Sequence, residues 1–270
     1  MPADSSKKLT GKTILVPRPA PPAGQTDKLA DLLQKAGAKV IAHPVIKLAP
    51  VPLPAIQEAL EQIHHFRTIV FVSASGVRFF ASLLDKHNDF DKQHGIGRYF
   101  DELQIAAIGT ATAAEVEKLG LRVNFVPERA DSQSLASGLA RQMQDPFLLI
   151  RADRGSSVLS EALTKDGKEH QELVVYESQD VDQADPHVLE LLQNNQIDWI
   201  AFTSPAIALA SIRMFKLGLR NTRLATISSS VTQVLEENEF EVAAEAVRPG
   251  FEEIVEAIGD AFDNDAMDTE

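Results

Sequence analysis

Thr68-Ile-Val-Phe-Val-Ser-Ala-Ser-Gly-Val-Arg-Phe-Phe (residues 68–80) and Trp199-Ile-Ala-Phe-Thr-Ser-Pro-Ala-Ile-Ala-Leu-Ala-Ser (residues 199–211) are two copies of one pattern. With Phe71 set on Phe202, Ser73 falls on Ser204. Each copy opens with an apolar run of strand length, as a strand covered on both faces requires, then turns at a serine into helical spacing. Strand, serine, helix is the grammar of a parallel α/β unit.

The match extends on both sides. Gln104-Ile-Ala-Ala-Ile-Gly-Thr-Ala-Thr, continued at Gly120-Leu-Arg-Val, parallels Arg223-Leu-Ala-Thr-Ile-Ser-Ser-Ser-Val, continued at Glu239-Phe-Glu-Val. Upstream, Ile14 to Arg18 leads through a helix to Gly37 to Val45, as Leu148 to Arg151 leads to Gly167 to Val175. The pattern predicts strands at Thr13–Val16, Val40–Ile46, Thr68–Val72, Gln104–Ile108, Arg122–Phe125, Phe147–Ile150, Leu173–Tyr176, Asp198–Phe202, Arg223–Ile227 and Glu241–Ala243, with a helix over Asp27–Lys35 and others in most gaps. The expected class is α/β, in two similar lobes with parallel sheets flanked by helices, joined by a two-stranded linker.

Gly11 to Ala42 supplies one strand and one helix, too little to bury a core, so it must join a sheet elsewhere. The proline-rich stretch Pro44 to Pro54 marks a crossing. The predicted division is lobe 1 from 11–42 plus 179–262, an inserted lobe 2 at 47–170, linker strands at 43–46 and 171–178, and flexible tails at 1–10 and 263–270. The tails are polar or acidic and lack periodicity.

The 270 residues are 44% hydrophobic and 24% charged, a globular composition with length for roughly two domains. No cysteine is present, which removes disulfides, iron–sulfur clusters, cysteine zinc sites and thiol nucleophiles, and fits a cytoplasmic protein. A net charge of −13 opposes nucleic-acid and anionic-membrane partners. The longest apolar runs are strand length, far below the roughly 20 residues of a membrane helix. Walker A, GxGxxG, HExxH, GxSxG and EF-hand patterns are missing, and the scattered histidines, including adjacent His64 and His65, suggest no metal site.

The informative positions are small polar residues just after strands: Ser73 and Ser75, Thr110 and Thr112, Ser204, and Ser228 to Ser230. Singly, each reads as a helix N-cap. Collectively they stand at the carboxyl ends of parallel strands, where open α/β sheets bind ligands and helix N-termini attract anions, and they are expected to line one cleft. Arg18 and Arg151 occupy matching places in the repeat, with Arg154 nearby, either as ion pairs or as carboxylate holders. Of the two tyrosines, Tyr99 lies in an irregular stretch, whereas Tyr176 ends a strong strand, as a packing residue or as a proton donor with a reference pKa near 10. Trp199 reads as a packing residue.

Taken together, these stretches resemble the uroporphyrinogen-III synthase family over about Lys12 to Ala261. The resemblance rests on Ile14-Leu-Val-Pro-Arg-Pro, Phe71-Val-Ser-Ala-Ser-Gly-Val, Ala107-Ile-Gly-Thr-Ala-Thr, Asp131-Ser-Gln-Ser-Leu, Leu149-Ile-Arg-Ala-Asp-Arg-Gly, Val175-Tyr-Glu-Ser and Phe202-Thr-Ser-Pro, in their order and spacing. It implies two α/β lobes on a two-stranded linker, a monomer, and no metal or cofactor. It further implies cyclisation of the linear tetrapyrrole hydroxymethylbilane with inversion of ring D through a spiro intermediate. By position, Tyr176 resembles a tyrosine that assists departure of the substrate hydroxyl. Ser73, Thr112 and Ser204 match residues lining the cleft, and Arg18 and Arg151 resemble arginines near its mouth. Ser75, Thr110 and Ser230 complete the expected substrate contacts. One turn departs from the family pattern of glycine, any residue, then threonines: here it reads Ser228-Ser-Ser-Val. A transient contact with the upstream hydroxymethylbilane-forming enzyme is a further expectation. The rivals are a non-catalytic two-lobe small-ligand binding or sensor protein, and a regulator fused to a DNA-binding domain, which the charge and lack of a basic helix oppose.

Overall fold

A computed structural model describes residues 8–22, 24–52, 54–86, 100 and 102–267. Chain contacts divide it into two compact units, Met1–Lys47 with Gln179–Glu270, and Leu48–Ser178. The first unit contains β1 (Thr13–Val16), α1 (Lys28–Lys35), β2 (Lys39–Ala42), α7 (Pro186–Gln193), β8 (Trp199–Phe202), α8 (Pro205–Phe215), β9 (Arg223–Thr226), α9 (Ser229–Glu237), β10 (Ala244–Glu245) and α10 (Phe251–Met267). The second contains α2 (Pro54–Glu61), β4 (Thr68–Phe71), α3 (Ala74–Lys86), β5 (Gln104–Ala107), α4 (Thr110–Lys118), α5 (Ser132–Gln142), β6 (Phe147–Ala152) and α6 (Val158–Lys165). Two strands, β3 (Ile46–Pro50) and β7 (His170–Asp180), carry the chain across the division.

The sheet orders are β10-β9-β8-β1-β2 and β3-β7-β6-β4-β5. Under the sequence repeat, β8 corresponds to β4, β9 to β5, β1 to β6 and β2 to β7. The series β9-β8-β1-β2 then matches β5-β4-β6-β7, so one unit is a circular permutation of the other. Even β10 has a counterpart, the single parallel bridge of Phe125 to Ala106 on β5. In each sheet the strand order reverses once, between β1 and β8 and between β4 and β6, and such a reversal opens a crevice at the carboxyl edge.

Alternation along the strands builds the layers. Ile69, Phe71, Leu148 and Ile150 face Val77, Phe80 and Leu83 of α3. Their neighbours Val70, Phe147 and Leu149 face Leu135 and Leu139 of α5 and Leu159 and Leu163 of α6. In the other unit Ile14, Val16, Trp199 and Ala201 pack on Leu29 and Leu33 of α1 and Ile254 and Ile258 of α10. Leu15, Ile200 and Phe202, on the opposite face, are fully buried. Each such side chain contributes about 1.5–3 kcal/mol of burial.

The structure corrects several expectations. Val40–Ile46 is not one strand, because Pro44 has no N–H for the ladder: β2 ends at Ala42 and β3 begins at Ile46. The 43–46 segment is therefore mostly irregular, and the 171–178 segment is an integral part of the second sheet. That sheet is not wholly parallel. Val181 N donates to Val45 O at 2.9 Å and Val51 N to Val175 O at 3.3 Å, a pairing in which β3 and β7 run in opposite directions. Arg122–Phe125 forms only the bridge, since the Asn124 side chain accepts the Ile105 N–H at 2.8 Å in place of a backbone carbonyl. The strand expected at Glu241–Ala243 falls at Ala244–Glu245, after Glu239 adopts a left-handed φ of 64°. Leu9, placed in the flexible tail, is fully buried in the core, and α10 continues to Met267. Residues 1–7, 268–270 and Tyr99 lie outside the described residues.

Candidate functional site

In the Leu48–Ser178 unit, register brings the chemistry to one edge. Phe71 pairs with both Ala107 and Ile150, and beyond a bulge at Arg151/Ala152, Ala152 pairs with Tyr176. The turns after β4, β5 and β6 and the ring of Tyr176 therefore share the carboxyl edge of this sheet.

The Tyr176 hydroxyl lies 3.2 Å from Ser73 Oγ. Ser73 also accepts the Gly76 N–H at 2.9 Å and so caps α3. A side chain at Gly76 would crowd this arrangement, because its Cβ would stand 3.2 Å from Ser73 Oγ and 3.6 Å from the Ile150 carbonyl. With its oxygen taken by the cap, Ser73 can donate to the phenol oxygen and leave the phenol proton available. The tyrosine ring stacks on Phe79 at 5.0 Å between centroids and 16° between planes, leaving the residue 8% exposed. Burial raises the phenol above its ordinary pKa. Ser73 and the charge of Arg78 oppose the rise, and Asp153 adds to it. The Tyr176 phenol thus keeps its proton at neutral pH.

Ser75 accepts from Arg78 Nη2 at 3.0 Å. At the next turn Gly109 is the N-cap of α4 and has no side chain to offer, Thr110 is exposed, and Thr112 is buried on the packed face of the helix. Arg151 is 9% exposed and four of its five N–H donors are engaged within the unit: Nη1 pairs with Glu172, Nη2 donates to the carbonyls of Gly155 and Ser156, and Nε donates to that of Ala152. It braces the turn after β6 and does not stand ready for a ligand carboxylate.

The other unit repeats the edge with less chemistry. Ser204 caps α8 by accepting the Ile207 N–H at 3.3 Å. Ser230 is exposed, its hydroxyl 3.0 Å from that of Ser228. Arg18 pairs with Asp27 at 3.1 Å, lies 4.4 Å from the centre of the Phe251 ring, and keeps its Nε buried without a partner among the described residues. Burial lowers its pKa against the pull of Asp27. Asp27 at the same time caps α1 through the amides of Leu29 and Ala30, so Arg18, like Arg151, belongs to its own unit.

The structure thus joins Tyr176 to Ser73, places Ser75 in the same turn, and pairs Arg18 and Arg151 within their own units. The sequence reading passed over Phe79, Arg78 and Asp153. The first two lie inside the quoted repeat, and Arg78 follows Ser75 by the three residues that put both on one helix face. Asp153 sits in the Arg-Ala-Asp-Arg-Gly stretch, where only arginines drew notice. Among the described residues no group of three or more His, Cys, Asp or Glu converges to hold a metal. What the edge offers is a neutral phenol, hydroxyls and the partly exposed guanidinium groups of Arg78 and Arg154.

Comparison with known proteins adds independent findings. The family model described as uroporphyrinogen-III synthase HemD matches residues 27–256. A porphyrin biosynthesis protein HemD of Ruminiclostridium josui is 25% identical over 202 residues, covering 73% of this chain and 38% of that protein. A uroporphyrinogen-III synthase of Chlorobaculum parvum is 27% identical over 201 residues, covering 73% of this chain and 76% of that one. In fold, a crystal structure of a mutant uroporphyrinogen III synthase from the extremely thermophilic bacterium Thermus thermophilus aligns with a TM-score of 0.62 at 15% identity, over 94% of this chain and 99% of that one.

Proposed function

This chain belongs to the uroporphyrinogen-III synthase family, and from that premise we propose that it closes hydroxymethylbilane to uroporphyrinogen III with Tyr176 as the acid that starts the reaction. The family supplies the reaction class, a cyclising lyase of haem biosynthesis acting on a linear tetrapyrrole. The observation that supports the residue assignment is the pairing of Tyr176 with Ser73 at 3.2 Å on the carboxyl edge of the second sheet.

The steps follow from the substrate's chemistry. The phenol of Tyr176 protonates the ring A hydroxyl as its carbon–oxygen bond breaks, releasing water and leaving a cation conjugated with the pyrrole. Ring D attacks through its substituted carbon to give a spiro intermediate. Fragmentation and reclosure at the free position invert ring D, and the proton lost on rearomatisation restores the phenol. Because the open substrate cyclises unaided to the uninverted isomer, the enzyme's contribution is chiefly orientation, with acid assistance to the leaving group. Ser73, Ser75, Thr110, Ser204 and Ser230 are proposed to border the substrate, whereas Thr112, buried on the packed face of α4, holds that helix in place. Ser73 has the added task of fixing the phenol.

The division of the chain into two α/β units on a pair of connecting strands belongs to the same proposal, as do monomeric operation, a cytoplasmic location and transient delivery of the short-lived substrate by the enzyme that makes it. Among the described residues no helix is long and apolar enough to cross a membrane.

The test is a rate. Protein dialysed against EDTA is added to hydroxymethylbilane generated in situ, and cyclisation is followed from the start. The expected result is a rate well above the spontaneous one and unchanged by the chelator. A rate equal to the protein-free control overturns the proposal.

A further inference from the structure

We propose that Arg78 is a substrate-binding residue, its guanidinium taking one carboxylate of the linear tetrapyrrole beside the Ser73–Tyr176 pair. The inference rests on the functional reading above and assigns a role that was expected of Arg18 and Arg151.

A substrate with an acetate and a propionate on every pyrrole brings carboxylates that a guanidinium at its binding edge can hold bidentately. Of the three arginines named from the sequence, Arg151 is committed to Glu172 and to the carbonyls of its own turn, Arg18 to the cap of α1, and Arg154 stands beside Asp153 at 3.8 Å. Arg78 is placed differently. It lies on the second turn of the helix that Ser73 caps, and its side chain is 34% exposed. Nη2 is anchored on Ser75 at 3.0 Å, which aims the planar fork without neutralising it. Nη1 stands 3.7 Å from Glu115, beyond the 2.7–3.2 Å of a made N–H···O bond. Glu115 in turn is held at 2.7 Å by Lys118. Of the five donors a guanidinium carries, one is thus engaged by a side chain among the described residues. Its charge is also felt at the Tyr176 phenol, which locates it on the same edge as the proposed acid. A bidentate carboxylate here would seat a pyrrole ring against the phenol, and Glu115 would compete with it for the arginine.

That competition separates binding from a structural role. Initial rates of isomer III formation are measured against substrate concentration for wild type, Arg78→Ala, Arg78→Lys and Glu115→Gln, with thermal midpoints beside them. The expected result is a KM raised about tenfold in Arg78→Ala and about threefold in Arg78→Lys, since an ammonium keeps the charge but not the fork. In both, kcat stays within about twofold. In Glu115→Gln the KM falls or holds. A wild-type KM in folded Arg78→Ala overturns the proposal, as does a KM raised equally by Glu115→Gln, which would mark a structural ion pair. Should Arg78→Ala fail to fold, Arg78→Lys decides by the same comparison. Isomer I alone from the wild type overturns the functional reading and this proposal with it, whereas isomer III with an unmoved KM overturns only the proposal.

Discussion

Tyr176→Phe is expected to lower turnover of hydroxymethylbilane by about 100-fold, only the lower end of what a positioned general acid supplies, because the substrate can lose its hydroxyl unaided and the phenol assists that loss. KM should stay within about twofold. The substitution removes one hydroxyl from a ring held by stacking on Phe79, so the packing survives. The pH dependence gives the sign. Burial raises the phenol above its ordinary value near 10, so the acid form persists through the neutral range. Wild-type turnover should fall only on the alkaline side of that value, and the phenylalanine variant should lack this limb. Full turnover in the variant would remove the acid role.

Arg151→Ala is expected to act on stability and not on binding. The guanidinium is nearly buried, pairs with Glu172 and carries the turn from Ala152 to Ser156. Removing one partner of such a network typically costs about 3 kcal/mol, because Glu172 and the turn carbonyls lose their donor. Urea unfolding followed by far-ultraviolet circular dichroism should show the loss as a lower midpoint. Trp199 is a poor reporter, since it belongs to the other unit. At low temperature the folded variant should keep a wild-type KM. An unchanged midpoint with a raised KM would place Arg151 on the substrate.

The duplicated strands were legible because burial on both faces leaves an unbroken apolar run, and Thr68–Phe71 and Trp199–Phe202 fall where the pattern puts them. Their order was legible only through the repeat, which turns two different strand sequences into one permuted sheet. The edges were harder. Pro44 interrupts a run that reads as continuous, and Asn124 replaces a ladder acceptor with its side chain, so hydropathy alone misplaces both boundaries. Leu9 looked like tail because one apolar residue among polar ones has no period, yet its amide donates to the Ala36 carbonyl and its side chain completes a core.

At the site, position along the chain located the turns but could not rank the charges within them. Arg18 follows β1 by two residues, Arg78 sits on the helix after β4, and Arg151 lies at the end of β6. What separates them is the partner each finds: an N-cap carboxylate for Arg18, a brace of carbonyls and Glu172 for Arg151, and a serine with a distant glutamate for Arg78. The Ser75 partner is local to its helix, but Glu172 and Glu115 reach their arginines only through three-dimensional register, as Tyr176 reaches Ser73 across 103 residues of sequence. The turn at Ser228 is local by contrast, the hydroxyl of Ser230 meeting that of Ser228 two residues earlier.

The central claim, that this chain directs inversion of ring D, is tested most directly by the product. Hydroxymethylbilane generated in situ is cyclised by the purified protein, the porphyrinogens are oxidised, and the isomers are separated by chromatography. The account predicts predominant uroporphyrin III; uroporphyrin I alone, in the proportion formed without protein, would contradict it.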